Sequence, residues 1–385
     1  MKTLLSIFFI FLASLSIMAQ GIEFDHTSNW KELKEKAKSQ NKLIFIDAFT
    51  TWCGPCKMMS KDIFPDGAVG SYYNSNFVNA KIDMEKGEGL EIAQLYGVRA
   101  YPTFLFIDGD GVLQHRGVGY QEAADFVKLG SEAMNTDTRM GSLNAKYAKG
   151  ERDPEFLYKL AGIKKAAYEA DADKVAEEYF NTQKDWSTDR NLEMIYEFAG
   201  NFNSALTKYY IEHKDKFEDK YGKAAIARKT DQIIAMASSS LAKTDKPDFD
   251  KIKDLLIKID PKHADQHLAN MKCNHLLKTK DFDRYAKSTI EYFKNYPSDD
   301  PQELNSAAWN FYMHVNNKDY LNSAVEWSLK NIKLEDKYYC NDTVAALYAK
   351  LGNKAKAKKY IERAIDLAKA EGQDYSETEA LLKKL

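Results

Sequence analysis

The spacing of apolar residues divides the chain into two parts of different character. Between about residues 21 and 135, short apolar runs typical of buried strands alternate with segments of helical period. The predicted order is helix, strand, helix, strand, helix, strand, strand, helix. Such an order is typical of a mixed sheet with helices on both faces. The pattern therefore predicts an α/β domain with a mixed central sheet over residues 20–136.

Four segments are predicted to be strands: Leu43–Ile46, Phe77–Ile82, Thr103–Ile107 and Val112–Val118. The last two are joined by the turn cluster Asp108-Gly109-Asp110-Gly111, which predicts an antiparallel hairpin. A calcium loop is the alternative for this cluster, but the further carboxylates and the terminal glutamate of such a loop are missing. Ser28 is predicted to cap the first helix, which contains Trp30 and Leu33 on its apolar face.

From about Asp137 onward the strand signals disappear. Helical periods continue to the end of the chain, interrupted at sites such as Asp260-Pro261, and predict an all-α domain of ten or more helices over residues 137–385. Near the end, four positions recur 33 residues later: Ala324, Trp327, Ile332 and Leu334 match Ala357, Tyr360, Ile365 and Leu367. This pattern resembles the tetratricopeptide repeat over about residues 305–370 and implies a helical-repeat domain. Packing between helices is the preferred explanation of the aromatic stripes, and a ligand groove is the alternative.

The first residues have the pattern of an export signal. Lys2 precedes the apolar run Leu4–Ile17, and Ala19 is a small residue suited to cleavage. We therefore expect a signal peptide at residues 1–19 and an exported, periplasmic protein that is soluble after cleavage. An uncleaved membrane anchor is the alternative, although the run is shorter than the roughly 20 apolar residues of a membrane span. No cysteine follows the run, which argues against a lipid-modified N-terminus.

Composition narrows the range of partners. The 385 residues include 55 Lys and Arg against 57 Asp and Glu, which gives a net charge of −2. The chain therefore lacks the excess of positive charge that attracts nucleic acid. We expect no nucleic-acid partner. The sequence has no phosphate-binding glycine loop and no flavin or nicotinamide fingerprint, so no cofactor is expected. The oligomeric state stays open.

The strongest chemical signal is Cys53-Gly54-Pro55-Cys56, placed where a strand gives way to a helix. A thiol at a helix N-terminus has a lowered pKa, because unpaired N–H groups and the helix dipole favour the thiolate. A second cysteine one turn later can resolve a mixed disulfide. A zinc site would need further ligands, and His115 is the only histidine between His26 and His213. An inert structural disulfide is the other alternative, but so short a loop stabilises little.

The remaining two cysteines, Cys273 and Cys340, lie in helical sequence. Buried free thiols are the preferred interpretation for this pair, and a structural disulfide is the alternative.

Two segments resemble the thioredoxin family. Ile46–Lys57 is similar to its active-site segment, and Gly97–Thr103 is similar to the segment that carries its cis-proline. The resemblance covers about residues 25–135 and implies a thioredoxin-like fold with Cys53 as the attacking thiol and Cys56 as the resolving thiol.

The resemblance also implies roles for four other residues. Asp47 would be the buried carboxylate that assists proton transfer to and from the resolving thiol; a strand-end cap is the alternative for this residue. Pro102 would be cis and would place the Tyr101 backbone to pair with a substrate strand. Trp52 would cover the flank of the dithiol. No metal is expected at this site.

Two departures from ordinary thioredoxin bear on function. Lys61 stands where the family has a helix-kinking proline, and the stretch from Ile63 to Asn76 is longer. Both resemble exported or membrane-tethered members that act on protein disulfides.

The sequence therefore predicts an exported thiol–disulfide oxidoreductase. Gly-Pro between the cysteines resembles the reducing members of the family, and this resemblance favours a reductase over an oxidase. Its expected partners are protein disulfide substrates and a membrane-side thiol electron donor. The alternative is a helical-repeat scaffold or chaperone with an incidental dithiol. The presence of Cys53, Cys56, Asp47 and Pro102 together argues against that alternative.

Overall fold

The computed structural model describes residues 20–25, 29–242, 244 and 246–385. The predicted signal peptide and the predicted cap Ser28 lie outside these residues. In the part of the chain that is described, no helix is both long and apolar enough to cross a membrane.

The first part of the chain contains the predicted mixed sheet. Its strands follow the order β2-β1-β3-β4 across the sheet, with β1 and β2 parallel and the other two pairs antiparallel. The strands are β1 Leu43–Phe49, β2 Phe77–Asp83, β3 Thr103–Ile107 and β4 Leu113–Val118. Strand β1 runs further than the apolar residues alone indicate. It therefore includes Asp47 in the ladder.

The helices that flank the sheet are α1 Trp30–Gln40, α2 Gly54–Met58, α3 Gly67–Asn76, α4 Gly89–Leu95 and α5 Ala123–Met134. The sequence predicts one helix between β1 and β2, whereas the structure has two. Helix α2 continues as a π-helical turn over Met59–Ile63, and α3 begins after Pro65 with Asp66 as its cap. Asn29 caps α1 by accepting the N–H groups of Lys31 and Glu32.

Alternate side chains of β1 pack into two separate hydrophobic cores, one on each face of the sheet. Ile44 and Ile46 face one layer of aliphatic side chains, and Phe45 faces an aromatic layer on the other side. Successive strand residues point to opposite faces, so Asp47 shares the face of Phe45. This face is the one that packs against Met59 and Ile63, just beyond the dithiol. The alternation therefore brings a carboxylate under the active-site helix.

Beyond residue 137 the described residues contain helices and no strands, as predicted. Four of the helices belong to a compact unit that ends at Phe198: α6 Met140–Ala148, α7 Pro154–Ala166, α8 Ala172–Thr182 and α9 Asp189–Phe198. Eleven more lie in a second compact unit, Ala199–Leu385: α10 Ala205–Glu212, α11 Lys214–Tyr221, α12 Lys223–Ala242, α13 Phe249–Ile259, α14 Ala264–Lys278, α15 Phe282–Asn295, α16 Pro301–His314, α17 Lys318–Leu334, α18 Tyr338–Lys350, α19 Lys354–Glu371 and α20 Ser376–Lys384.

Strand β4 anchors the first of these helices to the sheet. The N–H of Met140 donates to Nδ1 of the buried His115 at 3.3 Å, and burial lowers the pKa of this histidine to about 4. The next residue, Arg116, is also buried and pairs with Glu169 at 3.1 Å. The division at residues 136/137 stays a prediction. The compact unit around the sheet extends past it.

In the second unit, the repeated positions lie on α17 and α19. Ala324 and Ala357 are fully buried, and Trp327 packs edge-on against Phe311 with ring centroids 4.9 Å apart. These side chains fill space between helices, which is the preferred explanation of the aromatic stripes. The tetratricopeptide assignment stays a prediction.

Cys273 and Cys340, both in the second unit, are buried free thiols, as preferred from the sequence. Burial raises the pKa of both.

Candidate active site

The dithiol lies where β1 ends and α2 begins. Cys53 is the N-cap of α2, and its Sγ accepts the N–H of Cys56 at 3.1 Å. The two cysteines form a disulfide, and both are almost fully buried. An N–H group directed at a sulfur stabilises negative charge on that sulfur when the disulfide is reduced. The geometry therefore singles out Cys53 as the sulfur that gains thiolate character.

Trp52, the residue before Cys53, forms an aromatic pair with Tyr101. Trp52 is 64% exposed and meets the ring of Tyr101 edge-on, with centroids 5.9 Å apart. The indole N–H donates to both carboxylate oxygens of Glu85 at 3.0 Å, which orients the ring. The Tyr101–Pro102 peptide bond is cis, as the resemblance implies. The structure thus brings together Trp52 and Tyr101, which are far apart in sequence.

Asp47 is completely buried on the aromatic face of β1. Its ladder partner in β2 is Lys81, whose Nζ donates to Oδ2 of Asp47. Oδ1 has no hydrogen-bond partner among the described residues. Burial raises the pKa of Asp47, and the nearby charge of Lys81 opposes this rise. A group whose pKa is raised in this way can take up a proton more readily than an exposed aspartate.

Two residues that sequence reasoning missed connect Asp47 to the dithiol helix. The Nζ of Lys81 donates to Oγ of Ser60 at 2.9 Å, and Ser60 Oγ donates to the carbonyl oxygen of Cys56 at 2.9 Å. Lys81 could have been recognised as the single charge in an otherwise uncharged predicted strand. Ser60 follows Cys56 by one helical turn, which places both on the same face. The side chains thus form a continuous chain of hydrogen bonds from the buried carboxylate to the backbone carbonyl of Cys56.

A mixed sheet that presents a Cys-x-x-Cys disulfide at a helix N-terminus, next to a cis-proline and a buried carboxylate, is the framework of a thiol–disulfide oxidoreductase. The comparisons agree with this class. A family model described as "Thioredoxin-like domain" matches residues 30–133. Thioredoxin H4 of Arabidopsis thaliana is 37% identical over 89 residues, which are 23% of this chain and 71% of that protein. The chain belongs to the thioredoxin family through this N-terminal region.

Two further similarities have a similar extent. The thiol:disulfide interchange protein DsbD of Colwellia psychrerythraea is 31% identical over 116 residues, which are 28% of this chain and 19% of that protein. A solution structure described as a candidate disulphide-isomerase from Bacteroides thetaiotaomicron is 46% identical, covering 30% of this chain and 95% of that chain, with a TM-score of 0.28. These matches leave most of the helical part of the chain uncovered.

Proposed function

We propose that this thiol–disulfide oxidoreductase is an exported reductase of protein disulfides. The observation that carries the proposal is the hydrogen bond from the Cys56 N–H to Cys53 Sγ at the N-terminus of α2. It favours a thiolate on Cys53 in the reduced protein, and the thiolate is the form that attacks a disulfide.

The reaction begins with the dithiol form of the enzyme. The Cys53 thiolate attacks one sulfur of the substrate disulfide, forms a mixed disulfide and releases the other substrate sulfur, which takes up a proton. Cys56 then loses its proton and attacks Cys53, which re-forms the Cys53–Cys56 disulfide and releases the second substrate thiol. Two electrons pass from the enzyme to the substrate. Cys56 supplies one of the two protons that the substrate thiols take up, and solvent supplies the other, because Cys53 reacts as the thiolate. A thiol donor restores the dithiol and becomes a disulfide itself.

Neighbouring residues are assigned supporting roles in this scheme. Asp47 accepts the proton of Cys56, a role supported by its burial and its raised pKa. Trp52, Tyr101 and Pro102 hold the substrate segment, a role supported by the exposure of Trp52 and its contact with Tyr101. The backbone of Tyr101 pairs with the substrate strand.

Export is proposed from the first residues of the chain. Lys2, the apolar run Leu4–Ile17 and Ala19 have the composition of a cleavable signal. Similarity to a protein named for thiol:disulfide interchange, DsbD, supports exchange with a thiol electron donor, which the proposal places on the membrane side. The helical part would bind the protein substrate. The alternative, a scaffold with an incidental dithiol, predicts partner binding that does not depend on either cysteine.

Substitution of each cysteine tests the roles of the dithiol. Purified protein should reduce insulin disulfides with dithiothreitol as donor, and Cys53→Ser should abolish this activity. Cys56→Ser should accumulate mixed disulfides with its substrates, because the resolving step is lost. Cys273→Ala is the matched control, because its buried thiol lies in the second compact unit, and it should retain activity. Full activity of Cys53→Ser would refute the assignment.

The direction of the reaction is tested by the reduction potential of the Cys53–Cys56 pair. A reductase should equilibrate near the thioredoxin value of about −270 mV, and an oxidase near the value of about −120 mV known for a strong oxidant of this class. Titration against dithiothreitol and glutathione buffers measures it. A reduction potential near about −120 mV would still agree with thiol–disulfide exchange, but it would show that the enzyme acts as an oxidase and not as a reductase.

A further inference from the structure

A cleft adjoins the dithiol on the side of Cys56. It has a volume of about 410 Å³ and is open to solvent, and its walls include Cys56, Lys57, Ser60, Lys61 and Lys81. Trp52 and Tyr101 do not line this cleft. It is therefore a separate surface from the aromatic side of the site. Neither Lys57 nor Lys61 has a role in the proposed reaction.

The charge of this cleft is of one sign. Lys57 and Lys61 are exposed, lie one helical turn apart, and have no ion-pair partner among the described residues. Like charges at this spacing repel one another, so a bound anion would relieve the repulsion. No acidic side chain belongs to the described lining of the cleft. Asp47, the partner of Lys81, is completely buried, and Asp62, which follows Lys61 in the chain, is exposed but does not line the cleft.

Acidic side chains lie beside the aromatic pair. The carboxylate of Glu85 accepts the indole N–H of Trp52. Burial raises the pKa of Tyr101, and the charges of Glu85 and Asp83 add to this rise. Lys86 pairs with Asp83 at 3.1 Å and offsets part of this charge, while Glu85 remains directed at Trp52. The aromatic pair therefore has an acidic partner, whereas lysines are the charged side chains in the described lining of the cleft.

We propose that the basic cleft binds acidic side chains next to the substrate disulfide, so that the enzyme prefers protein disulfides with glutamate or aspartate on one side. This inference rests on the proposed reductase function and specifies its substrate class. Complementary charge places the substrate sulfur near Cys53 and raises the rate of encounter, and salt weakens the effect because the lysines are exposed.

Peptide substrates of equal length test this preference. Three disulfide peptides carry two glutamates before the disulfide, two glutamates after it, or glutamines at all four positions. Their reduction by the full chain, with dithiothreitol as donor, gives kcat/KM for each. One of the two acidic peptides should exceed the neutral peptide by about threefold to tenfold at low salt, the range that two exposed ion pairs supply. The advantage should shrink as salt is raised.

Variants assign the preference to the cleft. In Lys57→Gln/Lys61→Gln the ratio of acidic to neutral peptide should fall to about one, and in Lys57→Glu/Lys61→Glu it should fall below one. The matched control is Lys31→Gln/Lys34→Gln on α1, which removes the same charge from the same compact unit outside the cleft and should keep the ratio.

The results separate two kinds of failure. If the wild type reduces the neutral peptide but neither acidic peptide does better, the basic cleft has no role in selection and the inference is wrong. The same conclusion follows if the preference survives in Lys57→Gln/Lys61→Gln. If the wild type reduces none of the three peptides, the proposed reductase function itself fails.

Discussion

Among single side chains, Asp47 bears the largest electrostatic cost near the dithiol. Its carboxylate is fully buried, and one of its oxygens has no hydrogen-bond partner among the described residues. Lys81 compensates part of this cost, but its own side chain is 27% exposed and can remain hydrated without Asp47. Burial of a carboxylate with one unpaired oxygen costs stability, which is consistent with the proposed role of Asp47 in proton transfer.

Asp47→Asn should therefore separate stability from activity. The pKa of Asp47 is raised in the folded protein, so the folded state binds its proton more tightly than the unfolded state does. The wild type accordingly loses stability as the pH rises from the unfolded value of about 4 through the raised native value. At pH 7 the variant should be more stable by on the order of 1 kcal/mol, and the difference should vanish in acid.

The activity of the same variant should change in the opposite direction. Insulin reduction should slow, and its pH dependence should flatten, because no carboxylate remains to accept the proton of Cys56. Urea denaturation at several pH values and rate profiles between pH 6 and 9 provide the two readouts. An unchanged rate across that range would reduce Asp47 to a structural residue.

Among the elements, the extended segment Gln20–Asp25 determines how closely α3 can pack. The N–H of Ile22 donates to the carbonyl of Phe64 at 2.8 Å, and the N–H of Asp25 donates to the carbonyl of Asn79 at 2.7 Å. Gly70 in α3 lies directly against this segment. A Cβ at Gly70 would come within 2.0 Å of the carbonyl oxygen of Gln20. Backbone cannot move away as a flexible side chain can.

Gly70→Ala should accordingly destabilise the protein by ~2 kcal/mol, the usual cost of overpacking. Gly162→Ala is the matched control, because this glycine lies within α7 and a Cβ there would meet nothing within 4 Å. The control should be stabilised by about 0.5–1 kcal/mol, since alanine is the better helix former. Midpoints of urea denaturation measure both. Equal effects would mean that the segment yields to the new methyl group.

For the protein as a whole, the extent of the first compact unit decides where the chain can be cut. The buried pair His115 and Arg116 on β4 contacts Met140 and Glu169, beyond the compositional change near residue 137. Met140 and Leu143 on α6 are each 2% exposed. A division at residue 136 would leave these partners apart.

A fragment of residues 20–198 should therefore be more stable than a fragment of residues 20–136. The difference should be on the order of 3 kcal/mol, since the shorter fragment loses the burial of two large apolar side chains on α6. Denaturation of the two purified fragments measures it, with insulin reduction as a check that the dithiol is intact in both. Equal stability would support the compositional boundary as the true domain limit.

Local pattern was sufficient for most of the secondary structure around the dithiol and for the dithiol motif itself. Runs such as Thr103–Ile107 have the bounds that the sequence predicts, because apolar alternation and turn residues are local properties. The Cys53–Cys56 motif specifies its own helix N-terminus and its own disulfide for the same reason. Where local signals conflicted, as around Pro65, the sequence did not show that two helices were present.

Contacts between distant segments were decided only by the tertiary structure. No local pattern shows that Lys81 lies opposite Asp47, since that register depends on how β1 and β2 pair within the complete sheet. The basic cleft likewise combines Lys57 and Lys61 from the active-site helix with Lys81 from β2. The sequence determined which reactive groups the protein carries. The fold determined their neighbours, and these neighbours set the proton affinity and the field around the dithiol.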